Sequence, residues 1–479
     1  MGGIDWDAVE RWDAQYYLHV LSSNREYEFT PVARVDGDYI EFPDGSRCLD
    51  MLNQLICVPA GQRQPAIQQA IVDALERYGH VAEYYNTDYR ARAAKLLVED
   101  ILGDRQWPGK VRFVSTGTEA IELAFITAKL WKNRPYVLTR EFAYHGWTMG
   151  AAGATKLPGY AAQLSGAEDE RSARFVPSHP PGGFFLAPNV DCFDCSLGHT
   201  YPACKETGAE LPCVRRTRRV IEGVNPQMIA AMVTEPICGS ASIGPPPPEY
   251  FPQIRRLTRE MDIAWICDEV MMGFAKTGHW FCHQAWGEEV EPDILVMGKG
   301  LSNSALPAAG IIVSKEIAGF LDEQRWINVS TFGGHPVVMA AVCATLQYLI
   351  DNDAPARFRE KGAYFGEGLR RLEREHPTVG AVNAMGMVFT IELVKDRQTK
   401  ERFVPMNRTA LHAGDVSQYP TEIILAKALE RGVVITGFSP NTLRISASMN
   451  IREQDMDMAL DALDYGLAEL DRLAGQAAV

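Results

Sequence analysis

The sequence predicts an α/β fold: a large domain whose mostly parallel central sheet is covered by helices, joined to a smaller α+β domain. Three observations carry this expectation. Between roughly residues 65 and 315, short apolar runs alternate with amphipathic helical stretches, the pattern of parallel strands buried on both faces. After about residue 340 the character changes to two helical stretches, a polar segment "KDRQTKERFVP" and a strand-like "TLRISAS" before a final helix. The chain of 479 residues, 46% hydrophobic and 23% charged, has the make-up of a soluble globular protein with core enough for two or three domains. The expected boundaries are 1–64 for an N-terminal segment that contributes to the small domain, 65–338 for the large domain and 339–479 for the C-terminal small domain.

The strands follow from short β-branched or apolar runs. "VRFV" (Val111–Val114), "YVLT" after it, "IAAMVT" (Ile229–Thr234), "IAWIC" (Ile263–Cys267) and "ILVM" (Ile294–Met297) read as near-continuous hydrophobic strands, as buried parallel strands do. "PPPP" at Pro245–Pro248 is a stiff turn into a new helix. In the final helix Met456, Leu460, Leu463, Leu467 and Leu470 recur at helical spacing, and Asn450 with Glu453 forms a capping box at its start.

A formal charge of −14 argues against a nucleic-acid or anionic membrane surface, which needs clustered Lys and Arg. Small molecules are the expected partners. "MGGIDWDAVERWDAQYY" has no basic region followed by an apolar one, and no window approaches a membrane span, so the expected location is the cytoplasm. Ten cysteines are too sparse for a disulfide scaffold, and Cys57, Cys267 and Cys343 lie in apolar stretches.

Four stretches could carry chemistry. In "FVSTGTEAIELAFITAKLW" a strand ends near Ser115, Gly117 turns, and a helix begins at about Thr118. Its N-terminus with the Thr116 and Thr118 hydroxyls could hold a phosphate, or Thr116 and Glu119 could simply cap it. In "EFAYHGWTMGA", Tyr144, His145 and Trp147 surround Gly146 on a loop, either as a wall for a planar ring or as ordinary packing. In "IAWICDEV" a hydrophobic strand ends in Asp268 and Glu269. Alternation turns one acid away from the other, at the strand edge where ligands bind, so that one could meet a cationic partner or a metal; solvated strand-end acids are the alternative. Last, "DILVMGKGLSN" sets Lys299 between Gly298 and Gly300. It matches neither a G-x-x-x-x-G-K-[S/T] loop nor a G-x-G-x-x-G fingerprint. Its glycine neighbours would let a bulky ring approach the amine, and a desolvated amine attacks aldehydes; a surface charge in a glycine turn is the alternative. Phosphate cradle, aromatic wall, strand-end acid and later strand-end lysine, in this order, together describe a site for pyridoxal 5′-phosphate, with the acid keeping the ring nitrogen protonated.

On these residues the chain resembles the class III aminotransferases, the family of ornithine, 4-aminobutyrate, taurine–pyruvate and ω-amino acid transaminases, from about Asp36 to the C-terminal helix. The resemblance implies the pyridoxal-phosphate-dependent transferase fold (fold type I). It also implies that Lys299 forms a Schiff base with the cofactor, that Asp268 pairs with the pyridine nitrogen, that Val270 packs under the ring, and that Tyr144 stacks above it with His145 beside it. Thr116, Gly117 and Thr118 correspond to the phosphate turn. Thr331 of "STFGGHP" corresponds to the residue that reaches the neighbouring subunit's phosphate, which implies a homodimer with shared sites, or a tetramer built from it. Glu235 matches the glutamate near the phenolic oxygen, and Arg444 the arginine that receives a substrate carboxylate. Cys238, Met271, Ala447 and Ser448 depart from the family pattern. So does "CFDCSLGHTYPACKETGAELPC", whose Cys192, Cys195, Cys204 and Cys213 are expected to be reduced or structural, with zinc or an iron–sulfur cluster as the alternative.

The implied reaction is transamination from an ω-amino acid, taurine-like or other amine donor to a keto acid such as pyruvate, in a ping-pong cycle. Arg444, Trp147, Tyr85 and Tyr84 are the candidates for the substrate pocket. A lyase acting on an aminophosphonate or phosphorylated amine would use the same lysine and acid. A cofactor-binding regulator on this fold is the third reading.

Overall fold

The computed structural model describes residues 4–19, 28–156, 182–205, 210–239, 244–404 and 419–477. Three strands lie near the N-terminus: β1 (Arg34–Asp36), β2 (Tyr39–Glu41) and β3 (Arg47–Asp50). The central sheet takes β4 (Pro108–Val114), β5 (Tyr136–Arg140), β6 (Phe184–Ala187), β7 (Ile229–Thr234), β8 (Ala264–Asp268), β9 (Ile294–Met297) and β10 (Ala309–Ser314). Its order is β4-β10-β9-β8-β7-β5-β6. Every pairing is parallel except those of β10, which runs antiparallel to both β4 and β9. The apolar runs are strands because both their faces are covered: every residue of β7, β8 and β9 is buried. Helix α1 (Gly117–Lys132) covers one face, packing Ile121, Ala124, Phe125 and Ala128 into the same cluster as Val137, Val233, Ile266 and Val296.

The later part of the chain forms an antiparallel sheet of order β11-β12-β15-β14, from β11 (Val379–Met385), β12 (Val388–Leu393), β14 (Thr436–Ser439) and β15 (Thr442–Ser446). Helices α2 (Pro336–Asp351), α3 (Ala354–Glu375) and α4 (Glu453–Ala477) accompany it. Met456, Leu460, Leu463, Leu467 and Leu470 of α4 all join one core, as their spacing predicts. The short β13 (Val433–Val434) pairs in parallel with β3, so residues 34–50 share a sheet with the C-terminal part of the chain. The expected Asn450 cap does not form. The Asn450 amide instead donates to the Ala60 carbonyl at 2.9 Å and to the Tyr348 hydroxyl at 3.2 Å, because a side chain lying ahead of the helix found acceptors across the core. Among the described residues no helix is long and apolar enough to cross a membrane.

Helix α4 is pinned at its far end by His376, whose Nδ1 lies 2.7 Å from Asp471 and Nε2 2.8 Å from Asp464. The bond to Asp471, more than any other influence, raises the imidazole above the ordinary histidine value. A folded value above the unfolded one means the stabilisation is complete below the ordinary histidine pKa and is lost as pH rises through the folded value. Between pH 6 and pH 9 the wild type should therefore lose about 1 kcal/mol or less, since Asp464 is half exposed. Thermal melts of His376→Gln over the same range should lack this component, and equal slopes in both proteins would remove the assignment.

Candidate active site

The parallel strands all point one way, so the loops after β4, β5, β7, β8 and β9 leave from one edge of the sheet, where ligands bind in open α/β sheets. Each loop delivers a different group there. After β4, the Thr116 hydroxyl accepts from the Glu119 N–H at 3.3 Å and the Glu119 carboxylate accepts from the Ser115 N–H at 2.9 Å. This reciprocal cap starts α1 and leaves Gly117 and Thr118 facing the cavity. Gly117 lets the chain approach closely: a Cβ there would stand 3.1 Å from Val270 Cγ1, tight enough to push that side chain aside.

After β8 the alternation of strand side chains separates two neighbouring acids. Asp268 turns into the cavity, and its Oδ2 accepts from His145 Nδ1 at 2.7 Å with both groups buried. Glu269 turns the opposite way and accepts from the backbone N–H groups of Cys282 and His283 and from His283 Nδ1. His145 is held in turn by its own N–H, which donates to Thr155 Oγ1 at 2.9 Å. Its Nε2 is buried and meets no partner among the described residues.

After β9 comes Lys299, with φ at +41° at the head of a single 3₁₀ turn, Lys299–Ser302. Asn303 and Ser304 tie that turn to the N-terminal segment. Asn303 accepts from the Ala60 N–H at 2.8 Å and donates to the Gly61 carbonyl at 2.9 Å, and the Ser304 hydroxyl lies within hydrogen-bond reach of the Cys57 and Lys299 carbonyls. Burial above all pushes the Lys299 amine below the ordinary lysine value. Burial likewise raises Glu235, whose Oε2 has no partner among the described residues. Arg444, on β15, is buried and donates to the Gly239 carbonyl at 2.6 Å.

These groups enclose a cavity of about 410 Å³. Of the residues singled out from the sequence, it brings together Gly117, Thr118, Tyr144, His145, Trp147, Glu235, Asp268, Val270, Lys299 and Arg444. Thr116, Thr331, Tyr84 and Tyr85 are not on its wall. Thr116 serves as the helix cap, and Tyr84 and Tyr85 stand 79% and 60% exposed against each other. The glycines beside Lys299 act otherwise than expected. A Cβ on Gly298 would meet Val270 at 3.3 Å, and one on Gly300 would meet Phe274 at 3.1 Å and Lys276 Nζ at 3.3 Å. They admit neighbouring side chains of the protein, not a ligand, and neither lines the cavity. Sequence reasoning missed Leu55, Ile237 and Met272 in the wall, because isolated apolar residues carry no signal that separates them from core.

Cys192, Cys195, Cys204 and Cys213 line one separate small cavity with His199, and burial pushes Cys192 up to about 12 and Cys213 up to about 11. Among the described residues the only three metal-type ligand atoms within 4.8 Å of one another are those of Cys267, Glu269 and His283. Among the described residues the ligand atoms of the loop cysteines form no such group of three, and Glu269 already has its three donors.

Comparison with known proteins decides the family. The family model "Aminotransferase class-III" matches residues 21–467. The chain belongs to the class-III aminotransferases. Among solved structures, an S-selective transaminase from Bacillus megaterium is 44% identical, with a TM-score of 0.91 over 98% of this chain and 99% of that one. An S-selective transaminase from Arthrobacter sp., solved with alanine bound, is 44% identical with a TM-score of 0.90 over the same shares. Among curated proteins, the uncharacterized aminotransferase YhxA of Bacillus subtilis (strain 168) is 28% identical over 94% of each chain. The aminotransferase thus has the fold type I architecture and the pyridoxal 5′-phosphate dependence of its family. The lining fits that group: a carboxylate steadied by a histidine, a buried amine, a helix N-terminus and an apolar floor at Val270 are the complement of a planar, phosphorylated pyridine aldehyde.

Proposed function

We propose that this aminotransferase carries the amino group of a hydrophobic (S)-amine, an ω-amino acid or a taurine-like donor to a keto acid, with alanine and pyruvate as one substrate pair, in a ping-pong cycle. The observation that carries the reading is the meeting of Lys299, Asp268 and Arg444 in one cavity. Bound pyridoxal 5′-phosphate supplies the electron sink. The protein supplies the rest. Gly117 and Thr118 at the N-terminus of α1 would hold the phosphate, with Thr116 capping that helix behind them. Asp268, fixed by His145, keeps a proton on the ring nitrogen. Val270 and Tyr144 would hold the ring, and the buried Glu235 would add a polar contact to it. The Lys299 amine, with its value lowered by burial, would hold the cofactor and serve as the base for the donor's Cα proton.

Arg444 receives the carboxylate of the keto acid. Leu55, Ile237, Met271, Met272 and Trp147 form an apolar wall, which favours an uncharged substituent on the donor, and Tyr85 would reach the donor only from outside that wall. The two S-selective relatives at 44% identity, one with alanine bound, support both choices. Thr331 acts across a homodimer interface. In support, Ile327, Val329 and Phe332 are 73%, 80% and 60% exposed, and their segment touches the one that carries the exposed Tyr84 and Tyr85, where Ser330 N–H donates to Glu83 at 3.0 Å.

A panel of (S)- and (R)-1-phenylethylamine, β-alanine and taurine, each mixed with pyruvate and read by alanine formation, tests this. The (S)-amine should react at least ~10-fold faster than the (R)-amine, since one misplaced methyl-sized group costs about 1–3 kcal/mol. Ammonia release without any keto acid would replace the reading by lyase chemistry. The same preparation should sediment as a dimer.

A further inference from the structure

Residues Asn53, Gln54, Leu55 and Ile56 have φ of 52°, 49°, 66° and 60° in succession. A left-handed turn of four residues without glycine is unfavourable at every position, so its surroundings must hold it. Three groups do so. The Asp50 carboxylate accepts from the N–H groups of Leu52 and Gln54 and from the Gln54 side chain. The Asn53 amide exchanges two bonds with the backbone of Val58. From the opposite side of the core, Lys276 Nζ donates to the Ile56 carbonyl at 2.5 Å.

Lys276 is fully buried. Among the described residues no carboxylate meets its amine, and the Ile56 carbonyl is its one acceptor. Burial first, with Lys299 as a neighbouring like charge, pushes the amine down to about 7. An apolar side chain of the same length would be cheaper to bury there, so the amine is retained for what it grips. The turn it grips presents Leu55 to the cavity. The same amine lies 3.3 Å from the space above Gly300, the residue after Lys299.

We infer that Lys276 is a positioning residue: its amine pins the Ile56 carbonyl, holds the left-handed turn 53–56, and so fixes Leu55 in the wall of the cavity that also holds Lys299. The inference rests on the proposed amine pocket for its kinetic consequence only; the pinning itself stands apart from it.

The test compares Lys276→Met and Lys276→Arg holoenzymes by amide hydrogen–deuterium exchange over peptides spanning residues 50–61, together with steady-state kinetics for an amine donor and pyruvate. In Lys276→Met, exchange of residues 53–57 should accelerate at least ~10-fold through local opening. KM for the amine should rise about 10-fold while kcat with a small donor stays within about 2-fold, the mark of lost uniform binding. Lys276→Arg, which keeps a donor, should recover most of the protection. Unchanged exchange in Lys276→Met overturns the inference, whatever the kinetics. Accelerated exchange with unchanged KM overturns the link to the pocket and leaves the proposed reaction intact. Should the methionine variant fail to fold, Lys276→Gln carries the same comparison with a weaker donor.

Discussion

Lys299→Ala abolishes alanine formation from an amine and pyruvate, with a loss of at least ~10³-fold, since proton transfer by a positioned side chain alone contributes about 10²–10⁴-fold and the covalent hold on the cofactor is lost with it. The protein should still fold. A fully buried amine is expensive in the native state, and burial already depresses its pKa, so its removal should leave the melting temperature equal or higher. Two readouts therefore move in opposite directions. Gel filtration should strip the cofactor absorbance from the variant and leave it on the wild type. Full turnover by Lys299→Ala would falsify the proposed role.

Asp268→Asn keeps the shape of the site and removes only the charge. The amide oxygen can still accept from His145 Nδ1, which now sits 2.7 Å from the carboxylate, so cofactor retention should weaken modestly. Turnover should fall by about 10²–10³-fold, because the anion that favours a protonated ring nitrogen is gone. The adjacent Glu269→Gln should do the reverse. Glu269 is completely buried, faces away from the cavity and satisfies three N–H donors. Its loss of charge should lower stability by about 1–3 kcal/mol while kcat stays within about 2-fold. Equal kinetic damage from both variants, measured at saturating substrate, would mean that strand alternation does not divide their roles.

Much of the fold was legible because the relevant signals are local. Ile229–Thr234 and Ile294–Met297 form strands with the boundaries their apolar runs predict, since a run buried on both faces has no alternation to obscure it. The final helix shows the same economy, with its five spaced apolar residues all in one core. Less legible was anything that depends on a partner distant in sequence. The Asn450 amide was read as a cap because Glu453 stands three residues on, yet its acceptors come from residues 60 and 348. Gly298 and Gly300 were read as space for a ring; the space belongs to Val270, Phe274 and Lys276.

The same division runs through the site. Residue types at strand ends, in chain order, are a one-dimensional record, and they suffice to nominate Lys299, Asp268 and the Thr116–Thr118 turn. Which atoms meet is a three-dimensional fact. That His145 Nδ1 meets the Asp268 carboxylate across 123 residues, and that a buried lysine grips a left-handed turn whose Leu55 lines the cavity, were decided by tertiary packing alone. Hydrogen bonds and burial act over a few ångströms of space, and sequence distance leaves no trace of which groups packing will bring within that range.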